Sequence, residues 1–544
     1  MNVQILALIS LTIFKGVMML KLGPVLKFLD GENDTWRIGL LAVTDATDTV
    51  PTLIVQGGGA IAPSESKSLI YTKTMLHLWQ FSLPLSTKAQ AADYSFNGSS
   101  YKINLPAKGQ KPAIAYASCN GFSDPKLMSQ VKEQNALWKR MKVLSDGVNT
   151  IGTTRYGPWH LLLMGGDQIY SDAMWNRKYC RTLADWAALD WDVRVKRSFT
   201  VTMQNEVNKF FESTYISCWS QPDMATAFAS IPSIMMWDDH DILDGWGSYP
   251  FEMHYCDVYQ GIFSIAREYF KLFQLQSALA LPTVTLPQQS AFNQAYRLGD
   301  LGLVVLDMRS EREPHNPLQE NGHIFPDQVM SEQSWNAVYK WLDAQKDLTH
   351  LLVMSSIPVV HPSLDLLEKM LGFIPGQQEL EDDLRDHWRS QPHQQERLRL
   401  IKRLLGYSAQ KNMRITILSG DVHVAAVGVL ESSRNDVSPN ARVINQLTSS
   451  GIVHPAPPAM ARYFLEQACK VVETVDRDIT ATMYEFPATS RRLIGARNFL
   501  TLEPDDKDRL WANWWVEGES TPTTKVIHPV QPKQNAIEPM SKPK

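Results

Sequence analysis

Two periodicities alternate along most of this chain. From Leu22 to about Leu105 the apolar runs are short, as in Trp36–Val43 and Thr52–Val55, and Gly, Asn and Asp clusters separate them. That pattern predicts a small antiparallel β unit. Pro106–Pro112 carries Pro, Gly and Lys and reads as a linker. Beyond it come brief, nearly continuous apolar runs at Ile114–Ala117, His160–Met164, Ile234–Trp237, Gly302–Leu306, Leu351–Ser355 and Ile415–Leu418. Runs of that kind are strands covered on both faces. Between them, Ser129–Lys142, Gly261–Leu275 and Gln394–Leu405 repeat their apolar positions at helical spacing, so the chain is expected to be α/β. The expected division is an apolar N-terminal extension at 1–21, a β-rich unit at 22–110, a catalytic domain at 111–518 and a polar, partly disordered tail at 519–544.

Several of these strands end in a polar cluster, which gathers the chemistry at the carboxyl edge of the sheet, where open α/β folds bind ligands. Gly165-Gly166-Asp167-Gln168-Ile169-Tyr170 follows one strand. Its glycines permit a sharp turn that aims Asp167 outward, although an Asp there can equally cap a helix. Trp237-Asp238-Asp239-His240-Asp241, with Asp244 close behind, follows another. Carboxylates so crowded repel one another unless cations or hydrogen bonds neutralise them, and the interleaved Ile242, Leu243 and Trp246 argue against a merely solvated loop. Ser419-Gly420-Asp421-Val422-His423 places Asp421 and His423 two apart, on one side of an extended segment. Ser118-Cys119-Asn120 closes the first strand; a lone Cys is usually a small buried apolar group, but beside cations it is a thiolate ligand. Arg309, in Asp307-Met308-Arg309, is placed either to clamp phosphate or to form an ordinary ion pair. Ser356, His361 and His454 lie in further strand-end segments, as pocket walls or as structural turns. Glu379–Arg389, dense in charge, reads as a solvated helix face.

Composition narrows the picture. Lys and Arg number 53 against 57 Asp and Glu, a formal charge of −4, so no nucleic-acid-binding surface is evident and any phosphate-binding charge must be local. The five cysteines form no CxxC pair and no disulfide framework, which fits a reducing, cytoplasmic setting. Ile5–Phe14 is an apolar run without preceding basic residues or a clear cleavage site, interrupted by Lys15 and Gly16. It reads either as a signal or membrane anchor, or as a buried strand or short helix ahead of a start at Met18 or Met19. Membrane association and oligomeric state stay open. No GxSxG elbow, Walker loop or HExxH motif is present.

Taken in order, Ser118-Cys119-Asn120, Gly166-Asp167-Gln168-Ile169-Tyr170, Trp237-Asp238-Asp239-His240-Asp241 and Ser419-Gly420-Asp421-Val422-His423 resemble the motifs of PhoD-like (alkaline phosphatase D) metallophosphatases, within the calcineurin-like metallophosphoesterase superfamily. The likeness runs from about Gly23 to Ile527, and Gly23-Pro24-Val25-Leu26 with the β unit after it is similar to that family's accessory domain. The resemblance implies a four-layer α/β/β/α sandwich preceded by a small antiparallel β domain. It implies metal ligands at Cys119, Asp167, Tyr170, Asp238, Asp239, Asp421 and His423, with Asp167 bridging two ions and Cys119 and Tyr170 on a ferric one. Asp239 then stands where the superfamily usually has the Asn of its Gly-Asn-His-Asp/Glu motif, and Asp421 and His423 stand for its Gly-His-x-His pair. His240 and Arg309 are the expected catalytic side chains; Asn120, Asp244, Trp246, Ser356, His361 and His454 are the expected substrate contacts. The superfamily's opening Asp-x-His motif is replaced by Ser118-Cys119-Asn120, which favours Fe3+ with Ca2+ over a plain Mn2+ or Zn2+ pair.

The expected activity is metal-dependent hydrolysis of a phosphate ester, mono- or diester, by an activated water. Two alternatives stand beside it: a phospholipase-type diesterase on the same fold, and a catalytically silent binding or scaffold protein with a relic metal site.

Overall fold

A computed structural model describes residues 20–530, apart from 148–149, 152–153, 280–281, 315–327, 364–390 and 488. The apolar N-terminal run and the charged Glu379–Arg389 segment lie outside the described residues. The chain forms two large mixed sheets, one of ten strands and one of nine, with a four-stranded antiparallel sheet beside them.

The first sheet centres on Ile114–Ala117, Leu161–Gly165 and Ser233–Met236, which run parallel in neighbouring registers. The second centres on Leu301–Val305, His350–Met354, Arg414–Ser419 and Val443–Thr448, also parallel. Nearly every residue in these strands is buried, as expected of parallel strands covered on both faces.

Alternating side chains divide the apolar interior into layers. Tyr116, Leu163 and Ile234 of the first sheet meet Leu303, Leu352 and Leu418 of the second in one shared core. Ala115, Leu162 and Met235 point the other way, into a core closed by helices that include Val201–Trp219 and Asp257–Tyr269. Val304, Val353 and Ile417 pack outward against helices Glu332–Ala344 and Gln391–Lys411. The result is the helix, sheet, sheet, helix layering that the resemblance implied.

The N-terminal β unit is joined to this arrangement by hydrogen bonds. Leu22–Glu32 pairs in parallel with Ser233–Met236, so it and the strands Thr35–Asp45, Thr74–Pro84 and Glu65–Leu69 extend the first sheet. The remaining strands of the unit form the four-stranded sheet and contribute Tyr94, Phe96 and Ile103 to the inter-sheet core.

Three expectations need correction. The helix foreseen over Ser129–Lys142 is two helices, Pro125–Gln130 and Ala136–Ser145, because Val131 turns extended and closes the first. The helix foreseen over Gly261–Leu275 ends at Tyr269 and passes into a π-helical turn, Phe270–Gln274. The tail foreseen after Glu519 holds a further strand, Thr523–Ile527, paired antiparallel with Leu510–Val516. Only Ile527 of that strand is fully buried, so it lacked an apolar signal. Among the described residues no helix is long and apolar enough to cross a membrane.

Candidate metal centre

Every parallel strand named above delivers its carboxyl end to the same side, and the four polar clusters meet there. The turns that carry them are held in conformations side chains rarely adopt. Cys119, Asp167, Asp421 and His423 all have positive φ, between 52° and 74°, and Gly166 has φ 104°. Left-handed backbone at non-glycine residues is costly and concentrates where geometry serves function. Close approach explains the neighbouring glycines: a side chain at Gly166 would strike Asp238, and one at Gly121 would strike the ring of Tyr170.

The strained turns bring ligand atoms together in three overlapping groups. Cys119, Asp167 and His423 form one, Asp167, Asp239 and His240 a second, and Asp238, Asp239 and Asp421 a third; within each, the candidate ligand atoms lie within 4.8 Å of one another. Asp167 belongs to two groups and Asp239 to two, so the three sets make one continuous centre. The Tyr170 hydroxyl lies 3.2 Å from His423 Nε2 and its ring 4.3 Å from that of His240. Cys119 Sγ lies 3.4 Å from Asp167 Oδ2.

The electrostatics demand positive charge. Asp167, Asp238, Asp239, Asp241 and Asp421 are all buried, and among the described residues Arg309 and His240 are charges set against them. Burial pushes Asp167 well above the usual carboxylate range, and Asp238, Asp239 and Asp241 push it further while His240 opposes them. Burial likewise raises the Cys119 thiol, with Asp167 adding to the shift. Asp167 Oδ1 is buried and accepts no hydrogen bond among the described residues. Carboxylate, thiol, phenol and imidazole ligand groups in one buried site, one carboxylate oxygen without a hydrogen-bond donor, fit a cluster of hard and borderline cations. The His423 imidazole suits it too: burial, then the neighbouring His454 and His240, hold it in the neutral form that binds metal.

Around these groups stands a shell that fixes them. Ser450 Oγ lies 3.0 Å from Cys119 Sγ and accepts from the His423 amide at 2.9 Å, tying two ligand turns together. Asp172 Oδ2 lies 3.0 Å from His240 Nδ1. Burial would lower the His240 pKa, but Asp172 and Asp239 outweigh it and hold the ring cationic. Asp241 turns away from the ligand groups and accepts hydrogen bonds from the amides of Gln168, Ile169 and Asp238 and from Gln274 Nε2. The π-helical turn is what presents Gln274 to it. None of Ser450, Asp172 and Asp241 was singled out from sequence. Their signal was there, since each lies in or next to a strand-end cluster, but orientation decides their role.

The expected substrate contacts divide. His454 stacks on His423 with ring centroids 3.6 Å apart and on Tyr170 at 5.5 Å, so it belongs to the site. Asp244 Oδ1 is 3.9 Å from His240 Nε2 and keeps 30% of its side chain exposed, which marks the solvent side of the centre. Asn120 is engaged elsewhere: its amide accepts from Trp138 Nε1 at 2.8 Å and donates to Gln168 O and Met224 Sδ, in the outer core. Trp246 stacks on Phe263, donates to Arg309 O and accepts from Arg309 Nη1, so it supports that arginine. Arg309 itself is fully buried, paired with Asp238 through Nε and with Asp239 at 3.3 Å, rather than turned to a solvent-facing clamp. His361 hydrogen-bonds Pro362 O, burial and Arg397 push its pKa down to about 3, and it belongs to none of the three ligand groups. Ser356 is buried, and its hydroxyl makes no hydrogen bond among the described residues.

Comparison with known proteins shows the family and the fold. Residues 117–378 and 372–514 match the model of a family described as PhoD related phosphatase. An uncharacterized protein of Saccharomyces cerevisiae is 27% identical over 559 residues, spanning 82% of this chain and 75% of its own. Among solved structures, PhoD superposes with a TM-score of 0.55 at 12% identity, over 92% of this chain and 88% of that one, which is a likeness of fold. A purple acid phosphatase from yellow lupin (Lupinus luteus) seeds gives 0.47 at 10% identity, over 93% and 74%.

Proposed function

Since this chain belongs to the family of PhoD-related phosphatases, we propose that it hydrolyses phosphate esters with a water activated at the centre around Asp167. The observation that carries the reading is the sharing of Asp167 and Asp239 between overlapping candidate ligand groups, which lets turns far apart in the chain offer ligands to more than one ion at a single centre. Cys119, Tyr170 and His423 beside Asp167 suit Fe3+, and the carboxylates Asp238, Asp239 and Asp421 suit Ca2+. Cations there would polarise phosphoryl oxygens and lower the pKa of a water poised for in-line attack.

The side chains do the rest. Asp172 keeps a proton on His240 Nδ1 and so holds the ring cationic at the solvent side of the centre, beside Asp244. A cation in that place offsets charge on the phosphoryl oxygens or returns a proton to the leaving oxygen. Arg309 offsets the repulsion between Asp238 and Asp239 and keeps their carboxylates in register. His454 stacks on both Tyr170 and His423 and so walls one face of the centre. Elemental analysis of natively purified protein, paired with turnover of nitrophenyl phosphate and bis-nitrophenyl phosphate, tests the reading. Full turnover of either ester by metal-free protein would refute it.

A further inference from the structure

The chain turns an unusual face to solvent just beyond the centre. The segment from Asn176 to Val201 holds six Lys and Arg against three Asp, in a chain whose overall charge is −4. Within it Leu189 is 36% exposed, Trp191 and Val193 40% each, and Val201 69%. Lys196 and Arg197 follow directly and are exposed as well. An indole and aliphatic side chains standing out of a basic surface pay a hydration penalty that burial in a partner removes.

This face is fixed to the metal centre. Asp172, which holds His240, opens the short helix Asp172–Trp175. Trp175 stacks on Trp186 at 6.2 Å, and Trp186 Nε1 donates to Arg194 O at 3.1 Å. The guanidinium of Arg194 lies 5.8 Å from the Trp191 ring. From the other side Tyr249, whose hydroxyl donates to Asp244 O, packs on Tyr259, and Tyr259 on Trp186. The residues that border the centre and the exposed face are thus one packed aromatic unit.

We propose that this face docks on an anionic phospholipid bilayer and brings the mouth of the centre against it. Indole rings settle at the boundary between headgroups and acyl chains, aliphatic neighbours insert beside them, and Lys and Arg bind the anionic leaflet. Charge complementarity favours the bilayer: the segment that carries these exposed apolar side chains holds a surplus of positive charge in a chain that is negative overall. On the phosphoester reading above, on which this last step rests, the substrate is then a phosphate ester carried by a lipid.

Sedimentation of the full chain with vesicles of phosphatidylserine and phosphatidylcholine, and of phosphatidylcholine alone, tests the docking. Binding is expected on the anionic vesicles and to weaken about tenfold or more in Trp191→Ser/Val193→Ser and in Lys196→Gln/Arg197→Gln, with hydrolysis of soluble nitrophenyl phosphate unchanged. No binding, equal binding to neutral vesicles, or binding indifferent to both variants would overturn it; the last outcome would point to apolar residues outside this face, such as Ile5–Phe14. If both variants release the vesicles while no phosphate ester is hydrolysed, the docking stands and the phosphoester reading falls.

Discussion

Asp172 Oδ2 and His240 Nδ1 stand 3.0 Å apart, and that contact sets the charge of the buried imidazole beside Asp244 at the edge of the centre. A carboxylate behind a functional imidazole fixes both its tautomer and its basicity. Asp172→Asn keeps an oxygen for the hydrogen bond and removes the charge. We expect kcat to fall about 10–100-fold with metal content unchanged. Asp172 is a main cause of the raised His240 pKa, so its loss lowers that pKa, and the alkaline limit of activity moves to lower pH. A variant with reduced kcat but an unshifted pH profile would show that Asp172 acts only through local folding.

Asp167 sits in two ligand groups at φ 54°, which makes Asn the informative replacement. Asn tolerates left-handed backbone, so the fold should survive, as circular dichroism can check. Asp167→Asn halves the oxygen donors and removes a charge, and bound metal and activity should fall together by well over tenfold. Metal retained at full occupancy in an inactive protein would move Asp167 from ligand to some other role.

The sequence carried the frame of this site because each chemical cluster follows a strand that is buried on both faces, and such strands stand out as short apolar runs. All six strands foreseen beyond the linker are present within a residue or two of their expected ends. Pairing partners, in contrast, leave no local trace. That Leu22–Glu32 runs parallel beside Ser233–Met236 depends on a contact between segments some 200 residues apart. Orientation is equally silent: Asp238, Asp239 and Asp241 are indistinguishable as letters, and only the tight turn Asp239–Asp241 sends the first two toward the ligand groups and the third toward the amides of Gln168 and Ile169. Asn120 and Trp246 show the same silence, since both lie in site motifs yet direct their polar atoms to Trp138 and Arg309.

Asp241 joins the two most acidic turns, and burial pushes its pKa up to about 7 against the pull of its amide donors. Asp241→Asn replaces an oxygen with an NH2 that faces N–H donors, leaving at least one buried donor without an acceptor. The cost should be about 2–4 kcal/mol in urea unfolding, larger than for an exposed Asp such as Asp192. Equal effects at the two positions would mean that the turns are held by metal alone.

His160 gives the fold a dependence on acid that is separate from the metal centre. Its Nδ1 accepts the Ala113 amide at 2.8 Å while its own amide donates to Ala113 O, a reciprocal pair at the entry to strands Ile114–Ala117 and Leu161–Gly165. A protonated ring has no lone pair at Nδ1, and its charge would be buried, so burial lowers the pKa from 6.5 to about 4. The unfolded chain therefore takes up this proton first as pH falls. The contribution of neutral His160 is fully present above pH 6.5 and is lost as pH falls through 4, in all about 3 kcal/mol. His160→Asn keeps an acceptor oxygen near the position of Nδ1 and cannot be protonated in this range. Urea midpoints measured from pH 7 to pH 4 should fall less steeply in the variant than in the parent. A residual slope is expected, because burial also holds His254 and His350 near 4. Identical slopes in the two proteins would mean that His160 does not set the acid limit of the fold.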